Sequence, residues 1–187
     1  MEFSIKMEIV ALVILAILAL FHLDRQNSNN TRYRLYSASL FFAVLTVVFD
    51  IGSTMAMRAG AVIPTWLNLA LNTVYFTALD MTFSFIAAYC FYIMFEHSVD
   101  RHCYRIATRI IGIFAVFLFL VNLLNIRYGW IFTFKNGVYE RGPFNQIGYI
   151  PLFVEVGMFC VCYFRNRATV GTTMNVWYRR CRHWYYW

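Results

Sequence analysis

Residues 36–57 read YSASLFFAVLTVVFDIGSTMAM, 22 residues with one acid and no base. As a helix rising about 1.5 Å per residue they extend about 33 Å, slightly more than the ~30 Å hydrocarbon core of a bilayer. A surface helix of a soluble domain keeps a charged face opposite its apolar stripe. This one has no charged face, so it reads as a membrane span, and that reading sets the class of the whole chain.

Four more apolar runs flank it, at about 7–23, 66–95, 106–125 and 146–164. The chain is therefore expected to be all-α. It should form a polytopic α-helical membrane bundle of about five transmembrane helices with one short extracytoplasmic β-hairpin. Composition agrees: 61% of the 187 residues are hydrophobic and 13% charged. Soluble domains are nearer half apolar and a quarter charged, and a chain this size cannot bury the excess within itself. The run 7–23 could be taken for a signal peptide, but it lacks a small-x-small cleavage site and Asp24-Arg25 follows directly. It reads as a retained helix. The run 66–95 is long for one crossing, which implies tilt or a protruding end.

The net charge of +7 does not point to nucleic acid, because the basic residues lie between the apolar runs and not along one face. That is the pattern of loops facing anionic headgroups. Loops 24–35 and 96–109 and the tail hold 11 of the Lys and Arg residues; the N-terminus, loop 58–65 and the hairpin hold 5. The bias predicts an outside N-terminus, a cytoplasmic C-terminus and an extracytoplasmic hairpin.

The hairpin is read from residues 126–147. Asn136-Gly137 stands between short alternating stretches, and Asn-Gly suits the two positive-φ positions of a tight turn. Strands are expected near 130–135 and 138–141, with Gly142-Pro143 closing the hairpin and opening the next helix. Its unpaired edges require water or the interface. Residues 165–187 carry five arginines and end in HWYYW. Two readings stand: a basic aromatic cytoplasmic tail lying on the membrane surface, or a non-native end from a shifted frame or truncated gene.

Candidate chemistry is sparse. Asp50, Asp80 and Glu155 fall inside spans, where an acid costs about 2.5–3.5 kcal/mol on insertion scales and should face a partner in the bundle. Each serves either an interhelical hydrogen bond (Ser53, Asn72 and Tyr75 are the expected partners) or a pocket. Asn68, Asn72 and Tyr75 share one helix face. With Thr73, Asn122 and Asn125 they are either glue between helices or a polar lining beneath the hairpin. His97, His102 and Cys103 match no metal-ligand spacing. The five cysteines show no repeated CxxC, and Cys160 and Cys162 point about 200° apart on a helix. No catalytic grouping is visible, so no enzyme activity, metal or cofactor is expected of this chain.

The segment WIFTFKNGVYERGPFNQIGYIP, residues 130–151, carries a resemblance. With Tyr139, Arg141, Gly142, Pro143 and Tyr149, it resembles the extracytoplasmic hairpin of a multi-helix membrane sensor from Gram-positive anaerobes. That sensor precedes GGDEF-type diguanylate cyclase domains. Asp50-Ile-Gly-Ser53, Pro64 and Asn72-Thr-Val-Tyr75-Phe76 are similar to it as well. The resemblance covers residues 1–164 and implies a bacterial sensory input module of the cyclic-di-GMP type in the cytoplasmic (cell inner) membrane. It further implies truncation before the output domain, so no cyclase activity is carried over.

The expected sensing region is Trp130, Phe132, Tyr139 and Arg141, with Asn72, Tyr75 and Asp50 below. The aromatics could equally be interfacial anchors. The expected partners are the lipid bilayer and an unknown extracytoplasmic signal, with a homodimer left open. A small membrane transporter or channel is the rival, and it requires the three acids to line one through-going path.

Overall fold

The computed structural model describes residues 6–23, 30–59, 63–95, 101–135, 138–150, 153–161 and 163–164. The Asn136-Gly137 turn, the tail 165–187, Arg25, His97 and the side chains of His102 and Cys103 lie outside the described residues. The chain is an all-α bundle with one small hairpin. In order come α1 (Lys6–Leu23), α2 (Thr31–Ala59), α3 (Thr65–Phe95), α4 (Arg101–Tyr128), β1 (Phe132–Lys135), β2 (Val138–Arg141) and a 3-10 turn (Asn145–Gly148). Helical residues 153–161 follow and are called α5.

Three helices, Thr31–Ala59, Thr65–Phe95 and Tyr104–Tyr128, are long and apolar enough to cross a membrane. The apolar stretch of α1, Met7–Leu20, is shorter. Burial runs opposite to that of a soluble protein. Small and polar side chains such as Ser53, Thr54, Ala56, Thr73 and Ala78 are buried, while Ile113, Val116, Phe117, Leu120 and Leu124 are exposed. Lipid tails gain nothing by excluding Leu or Ile, so helices associate through small residues that let backbones approach.

α3 is central, packed on α2 and α4, and α1 lies against α2. α2 and α3 run antiparallel: Tyr36 meets Tyr89, Phe42 stacks on Phe85 at 5.3 Å, and the Thr46 and Thr82 hydroxyls are 3.2 Å apart. Both threonines also donate to carbonyls four residues back, those of Phe42 and Ala78. This back-bonding satisfies each hydroxyl inside its own helix. At the far end of α3, Phe91 and Phe95 pack with Ala107 and Ile111 of α4 and with Met158 of α5. Arg32, Arg34 and Arg105 thus sit at one end of the bundle and the hairpin at the other.

Helix ends depart from the hydropathy boundaries. α2 starts at Thr31 rather than 36, because the Asn30 side chain accepts from Arg32 N–H at 2.9 Å and caps the helix. α4 starts at Arg101 rather than 106 and continues to Tyr128. It stops where Gly129, at φ 62°, donates its N–H to Asn125 O at 2.9 Å. This is the left-handed cap with a bond from C′ to C3. Caps are polar signals and lie outside the apolar window. β1 begins at Phe132 rather than 130, since Trp130 and Ile131 form the link from that cap. The last span does not open as an α-helix at 146: a 3-10 turn occupies Asn145–Gly148.

Among the described residues, one fully buried side chain has both of its polar atoms unpaired. Asn68 on α3 is fully buried, and neither its amide nitrogen nor its amide oxygen has a hydrogen bond. Each unsatisfied buried group costs about 1–3 kcal/mol. Asn68→Leu, which keeps four side-chain heavy atoms and removes the polar groups, should raise the midpoint of thermal unfolding in detergent by a few degrees. A lowered midpoint would contradict this account.

Candidate functional site

The hairpin is not a loose flap; it is bolted to the bundle. Its strands pair with Phe132 opposite Arg141 and Phe134 opposite Tyr139. Side chains alternate across a strand, so these four residues share one face. That face meets α3. Phe76 stacks on Phe132 at 5.3 Å and Phe132 on Tyr139 at 6.0 Å, a column of rings from α3 through both strands. Phe132 is 0% exposed and packs in a cluster with Val121 and Ile131.

Asn125, on the last turn of α4, fixes β1. Its Oδ1 accepts from Ile131 N–H at 2.6 Å and Phe132 N–H at 3.3 Å, and its Nδ2 donates to Phe132 O at 3.1 Å. The chain after β2 is tied to the same place. Gly142 N–H and Asn145 Nδ2 both donate to Ile131 O, and Phe144 N–H donates to Trp130 O.

Between the hairpin and the helices lies a cavity of about 310 Å³. Tyr75, Phe76, Asp80 and Phe83 of α3 line one side, and Leu118 and Asn122 of α4 another. Leu79, Ile131, Tyr139, Arg141, Asn145 and Tyr149 complete it. Asp80 Oδ2 accepts from Asn122 Nδ2 at 2.9 Å. The Tyr139 hydroxyl is hydrogen-bonded to Asn145. Burial pushes that hydroxyl above its ordinary range, against the opposing pull of Arg141, so it stays neutral at physiological pH. The lining combines five aromatic and three aliphatic side chains with two amides, one carboxyl and one guanidinium, a mix common in small-molecule sites.

The expected residues divide. Tyr75, Tyr139 and Arg141 line the cavity, and Phe132 supports Tyr139 from the core. Trp130 instead stacks on Tyr128 at 4.9 Å and meets Phe144 edge-on, outside the lining. Asn72 is occupied within its own helix, donating to Asn68 O at 2.9 Å. Asp50 is on α2 within electrostatic reach of Glu8, and it does not line the cavity. The expected side-chain partners of the acids are also revised. Ser53 donates to the Asp50 backbone carbonyl, Asp80 pairs with Asn122, and Glu155 is hydrogen-bonded to Ser84. Asn145 was not singled out by sequence. Its partner Ile131 O is 14 residues away, and no local pattern marks it.

A second cavity, about 180 Å³, lies further along α3. It is lined by Phe83, Ala87, Cys90, Phe91, Glu155 and Phe159 among others, and is almost wholly apolar apart from the glutamate. Phe83 is a wall of both cavities. Among the described residues no group of three or more His, Cys, Asp or Glu could hold a metal ion.

No family model matches the chain, and no curated protein or solved structure gives a significant match.

Proposed function

We propose that this chain is a membrane-embedded sensory input module that binds a small molecule between hairpin and bundle. The observation that carries this reading is the cavity roofed by Tyr139 and Arg141 and floored by Asp80 and Asn122. Ligand entry there changes the packing of β2 against α3 and α4. α4 then offers a rigid route to the opposite end, where Arg101–Thr108 begin it. A signal of this kind requires two packings with different affinity for the ligand.

The module is proposed to cross the membrane five times, with α1 and α5 as the outer spans. Arginines are more numerous at the starts of α2 and α4 (Arg32, Arg34, Arg101, Arg105) than at their ends (Arg58, Arg127), which favours placing the starts in the cytoplasm and the hairpin outside. The resemblance of residues 130–151 to sensors preceding diguanylate cyclases supports a bacterial cytoplasmic membrane and an output through cyclic-di-GMP.

Hydrogen exchange tests the coupling. Phe132→Ala removes the central ring of the column and should speed exchange at the hairpin and also at Arg101–Thr108. Ile113→Ala, on the exposed face of α4, should leave both unchanged. A change confined to the hairpin would sink the coupling.

One observation favours a second reading as a small transporter. Asp80 and Glu155 are within electrostatic reach of each other, and their two cavities share Phe83. Asp50 lines neither of these two cavities, though it is within electrostatic reach of Tyr75, which lines the first. Sustained proton or sodium flux into proteoliposomes holding the full chain would favour transport.

A further inference from the structure

The chemistry of the hairpin cavity selects its ligand. We infer that it takes a small organic cation, a protonated amine on an apolar body, with the ammonium at Asp80 and the body among Tyr75, Phe76 and Tyr139. This deepens the sensory reading above and rests on the same cavity.

Three observations carry it. Asp80 is a carboxyl held part-buried on the floor of a cavity, and among the described residues no lysine or arginine pairs with it. Asn122 supplies a hydrogen bond to Oδ2 only. A carboxyl at that depth is unfavourable without a partner, and an ammonium group provides both the charge and the donors. Next, five of the twelve lining residues are aromatic: Tyr75, Phe76, Phe83, Tyr139 and Tyr149 all line the same space. Aromatic faces are negative at the centre and attract cations, and several together make a cage. Last, the volume of about 310 Å³ lies at the small end of the ~300–1,000 Å³ range for small-molecule sites. That volume is enough for a single-ring amine.

Arg141 refines the class. It is exposed at the hairpin side of the cavity, while Asp80 is on the helical floor. A free amine uses only the floor. An amino acid would use both, its ammonium at Asp80 and its carboxylate toward Arg141. An anion without an amine would meet Asp80 unfavourably.

The test uses the full chain in nanodiscs, with phenethylamine, phenylalanine and phenylacetate as probes. These share one ring and differ in charge. Thermal unfolding is followed up to about 10 mM probe, since fragments of this size bind in the micromolar to millimolar range. Phenethylamine or phenylalanine should raise the midpoint saturably, and phenylacetate should not. Tighter binding of phenylalanine assigns its carboxylate to Arg141; tighter binding of phenethylamine assigns the site to simple amines. Asp80→Asn should weaken the preferred probe at least tenfold.

An equal shift by phenylacetate overturns the proposal. So does unchanged binding to Asp80→Asn, or the absence of any shift with either amine. The comparison of probes on the unaltered chain decides even where the variant fails to fold. Hydrogen exchange at Arg101–Thr108 separates this proposal from the sensory reading. Saturable amine binding with no change there removes the sensory reading and keeps the site. A change driven by phenylacetate alone does the reverse.

Discussion

Asn125→Leu should destabilise the folded chain by roughly 3–5 kcal/mol, among the largest effects expected of any single substitution here. The reason is what the side chain holds. Its one amide group accepts from two successive backbone N–H groups, of Ile131 and Phe132, and donates to Phe132 O. Asn125 is fully buried, and so are the residues it holds: Ile131 and Phe132 are 4% and 0% exposed. Water therefore cannot replace the lost bonds without the hairpin lifting off. Each stranded group costs about 1–3 kcal/mol, and the three are not additive because one movement can relieve all of them. The variant should lower the unfolding midpoint in detergent and speed amide exchange at Ile131 and Phe132. A loss below about 1 kcal/mol would mean that the ring column of Phe76, Phe132 and Tyr139 holds the hairpin without help.

That result bears on how far sequence could be read. The three long apolar helices were legible because a bilayer imposes a length and forbids charge, and residues 36–57 meet both conditions. The hairpin was legible because Asn136-Gly137 separates alternating stretches, and alternation places Phe132, Phe134, Tyr139 and Arg141 on one face. What fixes the hairpin to the bundle was not legible. Asn125 was noticed only as one polar residue in a row of them, since its partners are backbone atoms in the next element. Helix ends were missed for a related reason. Asn30 and Gly129 define them through a capping bond and a positive φ, neither of which a hydropathy window detects.

The cavity was half legible. Tyr75 and Tyr139 were expected and are present, and Asp80 was marked as an acid needing a partner. Its partner Asn122 lies 42 residues away on the facing helix, a match that only packing reveals. Asn72 was harder to read. Shared-face spacing with Asn68 and Tyr75 allowed either glue between helices or a common lining, and its amide is used by the carbonyl one turn back. Spacing along a helix groups residues by direction; it does not say whether another helix or a cavity stands in that direction.

Gly142→Ala should be as damaging as the change at Asn125, and for a purely steric reason. A Cβ at this position would fall closer than 3.0 Å to Trp130 O, Trp130 C and Gly129 O. All three are backbone atoms of the link between α4 and β1, and no side-chain rotation can clear them. The close approach is what lets Gly142 N–H reach Ile131 O at 2.8 Å and Phe144 N–H reach Trp130 O at 2.8 Å. Moving β2 away to admit a methyl group breaks those bonds and pulls Ile131 from Asn125. The expected loss is on the order of 3–5 kcal/mol, comparable to overpacking combined with stranded backbone groups. Gly112→Ala is the control. It lies in α4 with no atom within 4 Å of its added Cβ, so it should be neutral or stabilise by about 0.5–1 kcal/mol through helix propensity. The two variants should also separate in ligand binding. Arg141 and Tyr139 enter the cavity only while β2 is seated against the link. Gly142→Ala should therefore lose amine binding in nanodiscs, even at temperatures where the helices remain folded by circular dichroism, and Gly112→Ala should retain it. Equal binding by both would show that the cavity does not depend on the hairpin being docked.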